Sequence, residues 1–438
     1  MESHLSSHGN EAPRKRTKTY THPNPNRTSF RIPFLFLNTA LVLFAVFHFL
    51  ALATGYGWLD SHPRSPGTWA AAHLFVLGWA TMTAMGAAYQ LLHVVLQTKL
   101  HSERLAYVHY AFFALGVAGL ILAFRAFSPT AITAFGTLTA CGIALFTWNL
   151  ARTLHHARQW NSITLSTAGA LVFLVLAALT GVAMGANYWL GAGNTLHARL
   201  FTAHLWFGPI GWFGLLITGY TYKLLPMFYL AHGYPRRLEG IVFLLWSAAV
   251  LVGALGALVG GGAGTQAVAG FLLVLALITF VRHIAVILRH RHKANPGSGI
   301  AWSVWAARGI TVAAVLAFLV AVFFPQAASA PRAVHLVGFV YLWGWVGFTI
   351  LGYLSKIVPF LWWTHKYGPK VGKEPVPSLA DLLKDRLVGR TLATMGLAFL
   401  LFIAALAAGW IPLAKASGMV LSLAALGYTV LLAKTFTK

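Results

Sequence analysis

The stretches HLFVLGWATMTAMGAAYQLL (73–92), HLWFGPIGWFGLLITGYTYKLLP (204–226) and HLVGFVYLWGWVGFTILGYLSKIVP (335–359) each begin with a histidine and continue as a long apolar run. The three histidines, His73, His204 and His335, are separated by 131 residues in both intervals. A spacing that repeats to the residue predicts three structurally equivalent segments. Each segment is expected to place one imidazole at the same depth.

The composition is that of an integral membrane protein. Of the 438 residues 58% are hydrophobic and 9% are charged, and the mean hydropathy is +0.70. Too few polar residues remain to form a water-soluble surface. Cys141 is the single cysteine, which excludes an intrachain disulfide and a cysteine-based metal cluster. Any metal chemistry must therefore use histidine.

Apolar windows long enough to cross a bilayer recur along the whole chain. They cover residues 32–54, 69–97, 105–126, 130–151, 163–187, 196–225, 238–260, 265–289, 300–324, 333–362, 387–409 and 412–434. The sequence thus predicts an all-α membrane protein with twelve transmembrane helices.

Lysine and arginine predict the orientation of these helices, because short cytoplasmic loops retain positive charge. One set of connections carries most of the basic residues, and the other carries only Arg64, Arg125, Arg199, Arg332 and Lys415. We therefore expect a multi-pass protein of the cell membrane with both termini cytoplasmic. The net charge of +24 is explained by this topology, so no nucleic-acid partner is expected.

The predicted domain organisation is simple. Residues 1–31 are polar and basic and predict a disordered cytoplasmic tail. Residues 32–438 form one membrane domain, with a polar, proline-containing cytoplasmic loop at 364–388. Helices 2, 6 and 10 run from outside to inside, with their histidines near the outer end. The period of 131 residues divides the bundle into three four-helix units and predicts a pseudo-threefold ring.

The repeated histidines are candidate metal ligands. Polar groups inside a membrane are costly and mark functional sites, although a hydrogen-bonded structural histidine is the alternative. Imidazole suits haem iron, copper and zinc. Two histidines on facing helices can fill both axial positions of a haem for electron transfer, and one open position permits binding of a diatomic gas.

Three outer arginines could support such a site. Arg64, Arg199 and Arg332 fall near the outer interface, where haem propionates need cationic partners. Ordinary anchoring at the interface is the alternative role for these side chains.

The remaining polar residues rank lower as candidates. His48 and His197 could approach the outer site, and His109 falls on the inner side. His283 lies in or beside a basic inner loop, where a solvated role is expected. No acidic residue lies in the middle of a predicted span, so a glutamate-based proton channel is not expected.

Twelve spans with histidines opening helices 2, 6 and 10 resemble the haem-copper oxidase subunit I superfamily. Helix 10, from Gly344-Trp345-Val346-Gly347-Phe348 to Pro359, is similar to that of cbb-type oxidases, as is helix 6. The helix-2 pattern and the run Ala231-His232-Gly233-Tyr234-Pro235-Arg236 also resemble the NnrS proteins, haem- and copper-containing relatives linked to nitric oxide.

This resemblance implies roles for the repeated histidines. His73 matches a low-spin haem ligand, His204 a copper ligand and His335 a haem ligand. The sequence departs from the oxidase pattern in two places: Leu336 and Val337 follow His335 in place of a His-x-His pair, and helix 7 (241–260) has no histidine. Reduction of oxygen to water is therefore disfavoured.

The leading hypothesis is a divergent member of this superfamily that binds a haem, of b-type, between His73 and His335. His204 would be a further ligand for haem or copper. Its work would be electron transfer, or binding or handling of nitric oxide or another diatomic gas. The chain has no Cys-x-x-Cys-His motif, so a cytochrome c partner, like other oxidase subunits, must be a separate chain.

Two alternatives belong to other functional classes. One is a non-catalytic protein that handles haem or copper during oxidase assembly. The other is a transporter in which the histidines gate a pore, although many transporters show inverted two-fold repeats instead.

Overall fold

The computed structural model describes residues 30–96 and 98–438, where all regular secondary structure is helical. In this part of the chain, 12 helices are long and apolar enough to cross a membrane. They are α1 (Arg31–Ala53), α2 (Pro66–Leu92), α3 (Glu103–Ala126), α4 (Pro129–Ala157), α5 (Ser162–Leu190), α6 (Asn194–Tyr229), α7 (Arg237–Leu258), α8 (Gly262–Arg289), α9 (Ser298–Phe323), α10 (Pro331–Lys366), α11 (Asp385–Ala408) and α12 (Ile411–Thr437). Each overlaps one predicted window, so the prediction of an all-α, multi-pass membrane protein is confirmed. The tail predicted for 1–31 lies outside the described residues, apart from its last two.

The two longest helices exceed the expected span. α6 and α10 contain 36 residues each, which corresponds to about 54 Å of helix. The hydrocarbon core is only about 30 Å thick, so their ends extend past it or the helices tilt. Within the predicted loop at 364–388, α10 continues to Lys366 and α11 begins at Asp385, with short helices at Gly368–Lys370 and Leu379–Leu382 between them.

Each long helix packs against the next one in the chain, and α12 packs against α1. These are the contacts that a closed ring requires, while the pseudo-threefold arrangement itself stays a prediction. Small residues allow close approach between neighbouring helices. In the α3 and α4 pair, a Cβ atom added to Gly116 would lie 2.6 Å from the backbone nitrogen of Thr139.

The repeat helices α2, α6 and α10 each contain an eight-residue π-helical segment. The segments are Leu74–Thr81, Trp206–Phe213 and Val340–Gly347. Such segments break the regular α-helical hydrogen-bond ladder and are frequent at functional sites. The recurrence of this irregular feature in the same three helices supports their structural equivalence.

In α6, neighbouring helices hydrogen-bond to carbonyl groups of the π-helical segment. The Tyr341 hydroxyl of α10 donates to the Pro209 carbonyl at 2.9 Å, and the Trp246 indole of α7 donates to the Ile210 carbonyl at 2.9 Å. Pro209 lacks an N–H and cannot support the helix in the ordinary way. The conformation of this segment therefore depends on contacts from α7 and α10.

The π-helical segments also show that the three histidines are not at equivalent positions. The segments begin one residue after His73, two after His204 and five after His335. His335 is thus four residues, or about 6 Å of helix, further from its segment than His73. The registers of the three histidines relative to their segments therefore differ, and one shared depth stays a prediction.

Candidate metal-binding site

The structure brings His73 of α2 and His204 of α6 together. Their ring centroids are 6.3 Å apart and their ring planes differ by 26°. Metal to imidazole-nitrogen bonds are about 2.0 Å long, so two imidazoles on opposite sides of one ion have centroids about 6 Å apart. The separation of the pair is therefore that of two ligands to a single ion.

Backbone carbonyl groups fix the tautomer of both rings. The Nδ1 atom of His73 lies 2.8 Å from the Trp69 carbonyl oxygen, and that of His204 lies 2.8 Å from the Ala177 carbonyl oxygen of α5. Because a carbonyl oxygen can only accept, each Nδ1 atom carries a proton and donates it. In the neutral imidazole the lone pair is then on Nε2. A ring N–H donated to a backbone carbonyl is a common support for metal-binding histidine.

The surroundings of the pair are small or aromatic. Phe124 of α3 packs against His73 with ring centroids 4.7 Å apart. At His204, a Cβ atom added to Gly181 would lie 3.2 Å from the ring carbon Cε1. Gly181 therefore provides the room that the imidazole occupies, and helices α2, α3, α5 and α6 together form the site.

Arg64 lies at the outer rim of this site. Its guanidinium group is 4.7 Å from the ring centroid of Phe201, which is one turn before His204. Near it, the Tyr188 hydroxyl lies 3.3 Å from Nε2 of His197. Arg64 has no ion-pair partner among the described residues, so its charge is available to an anionic group.

The other two candidate arginines face different turns. A Cβ atom on Gly260, between α7 and α8, would lie 2.7 Å from the guanidinium of Arg199, and one on Gly409, between α11 and α12, would lie 2.6 Å from that of Arg332. Both glycines have a positive φ angle, 79° and 77°, which suits glycine better than other residues. Both guanidinium groups therefore contact turns between helices, and an anchoring role for Arg199 and Arg332 stays a prediction.

His335 does not join the pair in a group of three. It is 9% exposed, and its nearest ring contact is Trp58, with centroids 6.4 Å apart. Across residues 30–96 and 98–438, no group of three or more His, Cys, Asp or Glu side chains could hold a metal ion. The donors that the structure offers together are thus two imidazoles.

A fourth histidine, His48 of α1, is fully buried in a polar network that was not predicted from the sequence. Its Nδ1 atom lies 2.8 Å from the Ser422 hydroxyl of α12, and the Tyr56 hydroxyl lies 2.7 Å from the same oxygen. The partners are more than 360 residues apart in sequence. Only the contact between α1 and α12 reveals them.

Sequence reasoning also missed a buried ionisable pair at the opposite end of the bundle. Glu239, at the start of α7, and His283, in α8, are 4% and 0% exposed. The sequence predicted a solvated role for His283, and this prediction is wrong. The apolar residues before and after it, Phe280 and Ile287, share its helix face and could have indicated burial.

A small cavity lies between α6, α8, α9 and α10. Its volume of about 10 Å³ is enough for about one water molecule. Two of its lining side chains, Trp345 and Thr349, have a buried polar atom without a hydrogen-bond partner in the described residues. This cavity suits a water molecule and is too small for a macrocyclic cofactor.

No protein-family model and no curated protein matches this sequence, so assignment of the site depends on its geometry and donor chemistry.

Proposed function

We propose that the protein binds a haem, of b-type, through Nε2 of His73 and Nε2 of His204. The observation that supports this proposal is the approach of two imidazoles, 6.3 Å apart, whose Nδ1 protons are both donated to carbonyl oxygens. Two neutral nitrogen donors on facing helices are the donor set of a haem with both axial positions filled.

This pairing changes the hypothesis drawn from the sequence. There, His335 was the second haem ligand and His204 the additional one. His204 is the partner that approaches His73, and His335 contacts Trp58. We therefore propose His204 as the second ligand.

When bound, haem supplies a one-electron redox couple and, with an open axial position, a site for a diatomic gas. The residues of the chain supply binding and orientation. Trp69 and Ala177 hold the two rings by their carbonyl groups, Phe124 packs against the His73 ring, and Arg64 offers a positive charge to a propionate group. Arg199 and Arg332 are left as anchors.

The function that fits two histidine ligands is electron transfer, whereas binding or handling of nitric oxide or another diatomic gas would require one of the two histidines to leave the iron. A cytochrome c or another oxidase subunit would then be the external redox partner, and membrane lipid surrounds the bundle. Copper remains a second candidate ion, because imidazole also binds copper. The described residues offer no third ligand for a three-histidine copper centre, which supports a role other than oxygen reduction.

The experiment is a visible absorption spectrum of the intact purified membrane protein, with a pyridine haemochrome assay and metal quantification to identify the haem and any metal. Haem with two axial imidazoles gives a Soret band and sharp low-spin bands. His73→Gln and His204→Gln should each lose the low-spin spectrum. His335→Gln is the matched control, since it replaces an equally spaced histidine, and should retain it.

Three other outcomes of these measurements would refute the proposal or favour an alternative. Wild-type protein without Soret absorbance refutes the proposal. Copper without haem favours the alternative of a copper-handling or assembly protein. Loss of the spectrum in His335→Gln, with retention in His204→Gln, would restore the pairing of His73 with His335.

A further inference from the structure

Glu239 is the single Asp, Glu, Lys or Arg residue that is buried in residues 30–96 and 98–438. It lies in the first turn of α7, at the end of the bundle that carries most lysine and arginine, called the basic end here. Its Oε1 atom is 3.4 Å from Nε2 of His283 on α8. An ionisable group buried in a membrane domain is costly and is a functional-site candidate by default.

The histidine of this pair has spare hydrogen-bonding capacity. His283 is completely buried, and neither ring nitrogen has a hydrogen-bond partner in the described part of the chain. Buried polar groups are nearly always satisfied, and exceptions require an explanation. A structural role alone would favour a fully bonded ring, whereas the Nδ1 atom of His283 has no partner among the described residues and Nε2 has only the carboxylate of Glu239 nearby.

Other titratable groups face the pair from two elements. Tyr222 of α6 meets the His283 ring edge-on at 5.3 Å, and its buried hydroxyl has no hydrogen-bond partner among the described residues. Tyr234, in the link between α6 and α7, lies 5.9 Å from the His283 ring. The exposed Arg236 guanidinium is 5.8 Å from the Tyr234 ring, and the His290 ring is 6.4 Å from it.

These groups form a series that runs from the aqueous phase into the bundle. Arg236 and His290 are exposed, Tyr234 is 9% exposed, and the pair itself is buried. The phenol of Tyr234 therefore separates the solvated groups from the pair. Burial raises the pKa of Tyr234, and the nearby Arg236 lowers it in part, so this phenol stays protonated at neutral pH.

The net charge of the pair depends on the number of protons that it carries. With one shared proton, the pair is neutral overall, either as carboxylic acid and imidazole or as carboxylate and imidazolium. Without that proton it carries one negative charge, and with a second proton one positive charge. Both charged states are disfavoured in a low-dielectric interior. Gain or loss of a proton by either group therefore changes the charge of the whole pair.

We propose that Glu239 and His283 form a proton-binding site that exchanges one proton with water at the basic end. On binding, a proton passes from water past Tyr234 to the carboxylate or to Nε2, and the pair changes from one negative charge to neutral. On release, the same proton returns to water. The site is separate from the imidazole pair of His73 and His204.

The test is a pH titration of the full chain in lipid bilayers, followed by solid-state NMR with ¹³C-labelled glutamate and ¹⁵N-labelled histidine. One glutamate carboxyl signal and one histidine ring signal should shift with a common midpoint. Glu239→Gln should lose that carboxyl signal and the pH-dependent shift of the His283 signal. His283→Gln identifies the ring signal.

The matched control is Glu374→Gln. Glu374 is half exposed and pairs with Lys370 at 2.8 Å, so this variant should keep the common midpoint. Two different midpoints for the carboxyl and the ring in wild-type protein, or no shift over the pH range of the folded state, would overturn the proposal. These readouts come from the wild-type chain, so they decide the question even where Glu239→Gln does not fold.

Discussion

Replacing Tyr341 with phenylalanine tests whether contacts between helices hold the π-helical segment next to His204. The substitution removes one hydroxyl group and leaves the ring. That hydroxyl donates to the Pro209 carbonyl of α6 at 2.9 Å. An unsatisfied buried acceptor costs about 1 to 3 kcal/mol in soluble proteins, and hydrogen bonds between membrane helices average about 0.6 kcal/mol with a maximum of about 1.7 kcal/mol. We expect a loss of about 1 kcal/mol.

The assay is reversible unfolding in mixed micelles with increasing denaturing detergent, followed by circular dichroism. Tyr107→Phe is the control, because Tyr107 is 40% exposed and its hydroxyl has no such role. A Tyr341→Phe variant as stable as this control would refute the argument that α10 stabilises the segment.

A double-mutant cycle extends the test. Trp246→Phe removes the donor to the Ile210 carbonyl, the residue after Pro209. The two bonds support adjacent carbonyl groups, so we expect the combined loss to differ from the sum of the single losses. Strict additivity would show that the two helices support the segment independently.

Two further predictions concern packing and a buried hydroxyl network. Gly214→Ala should lower the free energy of unfolding by about 1 to 3 kcal/mol, because the added Cβ atom would lie 2.3 Å from the fully buried Trp246 ring. Thermal unfolding measures this loss of stability. Burial raises the pKa of Tyr56 to about 12, while the hydrogen bond with Ser422 lowers this pKa in part. Ser422→Ala should therefore raise the pKa further and keep the phenol protonated to higher pH. An absorbance titration measures this change.

Each of these two predictions has a control variant. Gly240→Ala is the packing control, because a Cβ atom there meets nothing within 4 Å, and equal stability of the two alanine variants would contradict the clash. For the titration, Tyr56→Phe identifies the signal of this phenol. An unchanged or lowered midpoint in Ser422→Ala would show that the hydroxyl does not stabilise the phenolate.

Much of the fold could be predicted from local sequence. A helix that crosses a bilayer satisfies its own backbone hydrogen bonds and needs about 20 apolar residues, so hydropathy alone located all twelve spans. Helix ends were less predictable. The window at 333–362 became Pro331–Lys366, since polar and aromatic residues at the ends continue the helix beyond the apolar core.

The candidate site was predictable only in part. The repeat of His73 and His204 identified both members of the pair that the structure brings together. It also suggested an equivalent position for His335, whose ring contact is instead Trp58. Sequence spacing counts residues, whereas the position of a side chain depends on how the helix is wound between the histidine and the helices it contacts.

The burial of single polar residues was not predicted, although the apolar helix face of His283 could have indicated it. His283 lies near a helix end and was predicted to be solvated, yet packing of α6, α7 and α8 encloses it together with Glu239. The sequence by itself determined the number of spans and the helices that carry histidine, because those depend on local hydrophobicity. The tertiary structure decided which histidines meet and which charges are buried, because rotation and lateral packing of helices depend on contacts between residues far apart in the chain.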